Sequence, residues 1–339
     1  MAGEEWRCGK HGRVEWPHGG RKVALRKTMA QQGTLGAGVQ VADHTYFAVR
    51  VRFPDQGGLE TELVVDTAAG SSFITPAFAA RVAAKPTGVT ASVSTGTGGG
   101  GGLSQVTLGR MQFLAKDGGL VDAGRLDAIP IDLPTDPSIS GLLGLDVLAR
   151  FDVGISRGSL EASLHPPGSL QPPQGMREMP MSYLKPPAGL YSIQVRVAPV
   201  GGGGKESGTV TAIVDLGSPI TIVNWRAMES AGIFPSSPLL RDTGEVVAGA
   251  SVQGMGASSM RVFQIDLGLR AGGAKGEGVV KLGNHGVEVG DLPIFASLGM
   301  AGRPAMVLGS DVLLGGAGGG QMAISVSRSK LWVRLPDGV

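Results

Sequence analysis

In YFAVRVRF (46–53) Val and Arg alternate with a period of two, the pattern of a half-buried strand. GLETELVVDTAAGSSFIT (58–75) continues into a second strand that ends at Asp66. PAFAARVAA (76–84) then sets Pro at a first helical position and follows it with helical spacing, which predicts a short helix. Glycine-rich STGTGGGGG (94–102) precedes LSQVTLGRMQFLA (103–115), read as a hairpin tip followed by a strand.

The same order returns further on. LYSIQVRVA (190–198) matches YFAVRVRF, TVTAIVDLGSPITIVN (209–224) matches TELVVDTAAGSSFIT, and WRAMESAGI (225–233) matches the short helix. Near the ends of the two copies, LLGLDVLARFDVGISRGSLEASL (142–164) matches VLGSDVLLGGAGGGQMAISVSRSKLWV (307–333). One unit is used twice. Between the copies, residues 165–189 carry prolines that disfavour helix and central strand and favour an extended link. The expected organisation is a basic N-terminal arm or targeting remnant (1–38), a lobe (39–164), a linker (165–189) and a second lobe (190–339).

Composition narrows the class. With 57 Gly and 21 Pro, the chain reads as short strands joined by turns, so all-β is expected. Its 339 residues suffice for two lobes of about 150 residues, each with its own core. A net charge of +2, from 30 basic and 28 acidic residues, gives no reason to expect a nucleic-acid partner. No run of 18 apolar residues occurs, so no membrane span is expected. Cys8 is the single cysteine and no intrachain disulfide can form. An intracellular or organellar compartment, plastid included, is therefore favoured over secretion. The basic stretch from Arg7 to Lys27 suits an organelle leader or a docked arm, with Glu4, Glu5 and Glu15 against the leader.

The chemistry rests on two aspartates. Asp66 and Asp215 each follow a strand, with apolar positions aligned at Val64/Ile213, Val65/Val214, Phe73/Ile222 and Ile74/Val223. Alone, such an Asp is a turn former whose carboxylate binds nearby amides. Duplication allows more: two related lobes can face their aspartates across a pseudo-twofold axis. Carboxyls set side by side share a proton, so one serves as base and the other as acid toward a water held between them. That water becomes a nucleophile for a peptide carbonyl.

On these motifs the chain resembles the single-chain, two-lobed retropepsin-like and pepsin-like aspartic peptidases over roughly residues 40–335. VVDTAAGSSFIT and IVDLGSPITIVN occupy the Asp motif of that family; Leu142-Leu143-Gly144 and Val307-Leu308-Gly309 occupy its apolar-apolar-Gly motif. The resemblance implies a bilobal acid-protease fold of two related barrel-like lobes. It also implies an Asp66/Asp215 dyad braced by Thr67 and Ser218, and glycine-rich flaps at Gly98, Gly99, Gly254 and Gly256. Asp146 and Asp311 follow the motif glycines and are expected to start helices.

The chain departs from the family at two positions and lacks one flap residue of the pepsin type. Ala68 stands where the family has Gly, which requires a negative φ there. Leu216, before the fitting Gly217 and Ser218, replaces a Thr or Ser whose hydroxyl bonds across to the other lobe. No flap tyrosine occurs between residues 47 and 182, which favours the retropepsin comparison.

Other signals carry less. GGGGKES (201–207) lacks the Ser or Thr and the following helix of a phosphate loop, Gly-x-Ser-x-Gly is absent, and Cys8, His11 and His18 lack a fourth zinc ligand. The expected activity is that of an aspartic endopeptidase acting on a peptide or protein substrate. It would need no cofactor or metal and would work as a monomeric pseudo-dimer. The alternative is a weakly active or inactive relative that binds peptide or serves as a structural subunit.

Overall fold

The computed structural model describes residues 20–29, 45–94, 100–133, 136–185, 189–200, 205–247, 260–271, 279–315 and 320–334. The chain is two-lobed and mostly β, as the repeat predicts. In the first lobe neighbouring strands run in the order Thr45–Phe53, Leu59–Val65, Ile139–Leu143, Ser72–Ile74, Leu120–Pro130, Gly100–Leu114 and Lys85–Ser94. The second lobe repeats that order with Leu190–Pro199, Val210–Val214, Ala305–Leu308, Ile222–Val223, Val280–Val289, Met260–Ala271 and Arg241–Val247. Each sheet curls into a barrel-like form through one extra antiparallel pairing: Val51 meets Phe113 in the first lobe, and Val195 meets Ala271 in the second. Even the local directions repeat. The Asp-bearing strand runs parallel to the apolar-apolar-Gly strand in both lobes.

The two short helices form where the spacing predicts them. Helix Pro76–Arg81 opens with the Thr75 hydroxyl accepting the Phe78 N–H, and helix Trp225–Ser230 opens with the Asn224 side chain accepting the Ala227 N–H. These caps satisfy amides that no helical carbonyl can reach. Phe78 packs its ring against Phe53, and Ala227 and Met228 are buried, so each helix packs its apolar face onto the core.

A shared sheet joins the lobes. Its centre is the antiparallel pair Asp152–Ser156 and Gln321–Ser325, with Asp152 opposite Ser325 and Gln321 opposite Ser156. Glu161–His165 and Arg21–Met29 extend it on one side, and Lys330–Arg334 and Met176–Pro180 on the other. Residues 21–29, read above as part of a basic arm, are thus a strand of this sheet. Val23, Leu25 and Thr28 are buried between exposed or half-buried basic residues. The strand pairs first with Glu161–His165 and then with Thr45–Phe53.

The Pro-rich link makes the matching connection in two pieces: Met176–Pro180 pairs with Lys330–Arg334, and Ser182–Leu184 with Leu190–Ser192. Both pieces lie at sheet edges, where a proline that cannot donate to a ladder is tolerated. The repeat is therefore larger than its sequence similarity.

The Asp152 carboxylate is fully buried where the link leaves this sheet. It accepts the Leu170 N–H at 3.1 Å, while Arg328 reaches it at 3.3 Å and donates to the Leu170 carbonyl at 2.8 Å. Arg328 also lies over the Trp332 ring. Removing the guanidinium in Arg328→Ala would leave a buried carboxylate without its cation. The expected loss is about 3 kcal/mol, read as a lower urea midpoint with an unchanged slope.

Candidate active site

Asp66 and Asp215 each sit one residue past a core strand and beside the partner strand's last apolar residue. The Asp66 N–H donates to the Leu143 carbonyl and the Asp215 N–H to the Leu308 carbonyl, both at 3.0 Å. The chain then turns under its own carboxylate: Ala68 N–H donates to Asp66 Oδ1 at 2.8 Å and Ser218 N–H to Asp215 Oδ1 at 2.9 Å. Both turns are tied to the following motif, Leu145 N–H to the Ala69 carbonyl at 2.7 Å and Ser310 N–H to the Ser218 carbonyl at 2.8 Å. The motif glycines allow this approach. A Cβ on Gly144 would lie 2.6 Å from the Ser71 carbonyl oxygen, and one on Gly309 would lie 2.4 Å from the Ile220 oxygen.

Ser72 and Thr221 lock the same layer. Ser72 Oγ donates to Asp146 Oδ1 at 2.8 Å and accepts the Gly144 N–H at 3.0 Å. Thr221 Oγ1 donates to Asp311 Oδ1 at 2.7 Å and accepts the Gly309 N–H at 3.0 Å, while its own N–H donates to Asp311 Oδ2 at 2.9 Å. Asp146 and Asp311 do lie in the first turns of helices Leu145–Leu148 and Ser310–Leu313. Their carboxylates do more than start those helices: each pins its own Asp loop. Burial raises the pKa of both above the usual carboxylate value, against the hydrogen bonds that lower it. The matching places of Ser72 and Thr221 after the two aspartates were a sequence signal that the motif reading passed over.

Across the lobe boundary the bracing is one-sided. Thr67 Oγ1 donates to the Val214 carbonyl at 2.8 Å and accepts the Leu216 N–H at 3.0 Å. A hydroxyl at 216 would be the mirror of this arrangement; Leu216 instead buries its side chain among Val65, Leu145, Leu148, Val153, Ile324 and Val326. The void left there is about 10 Å³, no more than one water.

The remaining departures also have places. Ala68 is absent from the positive-φ residues, so its methyl meets no backbone penalty, and it packs against the apolar cluster of Leu145, Leu190 and Ile213. Gly217 is needed for contact. A Cβ there would lie 2.4 Å from Asp66 Cγ, so the Asp66 carboxyl rests directly on the backbone of the other lobe. Ser218 turns its hydroxyl to the Ile220 carbonyl at 2.7 Å and supports its own loop. The four glycines read as flaps, Gly98, Gly99, Gly254 and Gly256, lie outside the described residues.

The electrostatics follow from this seating. Burial raises Asp66 to about 6, although the Ala68 and Ala69 amides pull it down. Asp215 is raised well above the usual carboxylate value, first by burial and then by the charge on Asp66. The two titrate as a pair, and a single proton shared between them is the favoured state over the interval between the steps. Among the described residues no group of three or more His, Cys, Asp or Glu could hold a metal ion, and no helix is long and apolar enough to cross a membrane.

No protein-family model matches the sequence, and no curated protein matches it. Among solved structures the chain is similar to basic 7S globulin from soybean, at 13% identity and a TM-score of 0.49, over 93% of this chain and 95% of that one. It is similar to conglutin gamma, a basic 7S globulin from lupine seeds, at 14% identity and a TM-score of 0.44, with 93% and 95% covered. An aspartic proteinase from Irpex lacteus matches at 14% identity and a TM-score of 0.48, over 94% of this chain and 98% of that one.

Two outcomes follow from the site's physics. Thr67→Val keeps the shape but strips the partner from a buried carbonyl and a buried N–H, and should cost about 2 kcal/mol in urea unfolding. The aspartates should show the opposite sign. A carboxyl whose pKa is raised by folding stabilises the fold while protonated, and that stability is lost as pH rises from 3.8 through about 6. Asp66→Asn and Asp215→Asn should therefore melt above the parent protein at pH 7, and the gap should close near pH 4.

Proposed function

We propose that this chain is an aspartic endopeptidase, with Asp66 and Asp215 as the dyad that activates water toward a peptide carbonyl. The observation that carries the reading is the pair itself: two half-buried carboxyls at equivalent strand ends, Asp66 resting on Gly217 of the other lobe, both raised in pKa. In the one-proton form Asp66, the more acidic, draws the proton from the attacking water, and Asp215 donates its own to the carbonyl oxygen. As the C–N bond breaks, Asp66 passes its proton to the amine nitrogen and Asp215 takes one back from a hydroxyl of the tetrahedral intermediate, which restores the one-proton form.

Thr67 and Gly217 serve this chemistry by holding the loops in contact, and Ser218 by shaping the second turn. The substrate is a peptide lying between the lobes, and the two halves of the cleft come from the lobes 39–164 and 190–339 of one chain.

The raised pKa values set the pH window. The reactive one-proton form is populated above about pH 6, where Asp66 ionises, and declines where Asp215 follows. The acid limb of kcat/KM should lie near pH 6, with little activity at pH 4. The test is digestion of a mixed peptide library between about pH 3 and 8 with the parent protein, Asp66→Asn and Asp215→Asn. Cleavage reduced by about 10²–10⁴-fold in each variant is expected. Undiminished cleavage in either variant would sink the dyad. Peptide binding without cleavage at any pH would make the chain a binding protein built on the same scaffold.

A further inference from the structure

Strands Thr45–Phe53 and Leu59–Val65 are antiparallel, with Ala48 opposite Val64. Carried two residues outward, the same register sets Tyr46 opposite Asp66, on the same face of the sheet. The ring packs where that register puts it, against the cluster of Ala48, Val64 and Ile139, which Leu142 also adjoins. Val64 and Leu142 are themselves paired, and each precedes by a residue or two the groups that hold Asp66 in place. The phenol therefore stands on the same support as the carboxyl.

The other lobe has no such group. There Ser192 lies opposite Ile213, and the register carried outward brings Leu190 opposite Asp215. Leu190 is buried in an apolar cluster with Ile213 and Val307. One aspartate has a phenol at the position where its twin has a leucine.

We propose that Tyr46 is a positioning residue of the Asp66/Asp215 site, a phenol that favours the charged form of the carboxyl pair by presenting its O–H to it. This rests on the dyad reading above. The charged groups that face Tyr46 are Asp215 and Asp66; with burial as the larger cause, they push the phenol up to about 12. The hydroxyl thus keeps its proton at every pH where the carboxyls titrate, and acts only as a dipole and hydrogen-bond donor. A donor beside a carboxylate lowers its pKa, so the phenol opposes the burial that raises both steps. Without it, both steps move to higher pH.

The test is Tyr46→Phe, followed without substrate by NMR titration of ¹³C-labelled aspartate carboxyls, with Asp66→Asn and Asp215→Asn to assign the two signals. Both steps should rise by about one pH unit, the equivalent of one charge-assisted hydrogen bond. The acid limb of peptide cleavage should move with them at unchanged KM. Titrations that superimpose on the parent's overturn the proposal.

If Tyr46→Phe does not fold, 3-fluorotyrosine can be incorporated in a Tyr183→Phe/Tyr191→Phe background, since Tyr46, Tyr183 and Tyr191 are the only tyrosines. Its more acidic phenol is a stronger donor and should lower the carboxyl steps; an unchanged titration overturns the proposal again. The titration needs no turnover. A protein that cleaves nothing yet shifts its carboxyls in Tyr46→Phe retains the Tyr46 role and loses the peptidase reading, and the reverse result separates them the other way.

Discussion

Everything at the centre of this molecule depends on one strand pairing, Asp152–Ser156 against Gln321–Ser325. Equivalent strands from two copies of one unit meet there antiparallel, and that fixes the rotation relating the lobes. Each strand follows directly on the helix of the apolar-apolar-Gly motif: Leu145–Leu148 leads into the first and Ser310–Leu313 into the second. The motif glycines at the head of those helices hold the Asp loops. A shift in the central register would displace one motif helix, and the Asp loop it carries, relative to the other. The buried Asp152 and Arg328 group beside that pairing therefore bears on the site, although it touches neither catalytic candidate.

Rotation alone would give two equal carboxyls, told apart only by which of them holds the shared proton. The chain breaks the equality in three places. Gly217 lets Asp66 rest against the opposite backbone, while its counterpart Ala68 carries a methyl into an apolar cluster. Tyr46 lies beside Asp66 in register and Leu190 beside Asp215. Thr67 makes two bonds across the boundary, and Leu216 offers none from its side chain. The two carboxyls therefore sit in different surroundings, and burial raises both.

The elements visible in the sequence were those whose signal is local. Period-two alternation marked Thr45–Phe53, Pro76 marked the first helix and the repeat the second, and duplication raised two strand-end aspartates above ordinary turn formers. What stayed hidden depends on contacts between distant segments. Arg21–Met29 has two aliphatic side chains buried among basic residues, too weak a pattern to separate a strand from a charged arm. Met176–Pro180 carries a proline that argues against a strand unless its place at an edge is known. Ser72 and Thr221 look like turn residues until Asp146 and Asp311 are seen against them. Tyr46 gains meaning only from a register that no single segment encodes.

Leu216 was the residue that most strained the resemblance, and its surroundings explain how the fold tolerates it. The space around the Leu216 side chain is lined by Val65, Leu145, Leu148, Val153, Ile324 and Val326, with Thr67 the one polar side chain there. In such a setting a leucine that fills the space contributes its full burial, about 1.5–3 kcal/mol, whereas a shorter hydroxylated side chain would leave a cavity. Thr67 already satisfies the Leu216 N–H and the Val214 carbonyl, so the backbone of the second loop is not left bare. Apolar packing stands on one side of the boundary and a hydrogen-bonded brace on the other. Hydrogen bonds fix direction more tightly than dispersion contacts do, so the cost falls on the precision of the Asp215 loop more than on stability. Each loop keeps its own intralobe anchor, Asp146 through Ser72 and Asp311 through Thr221, so the direction of each carboxyl is still set within its lobe.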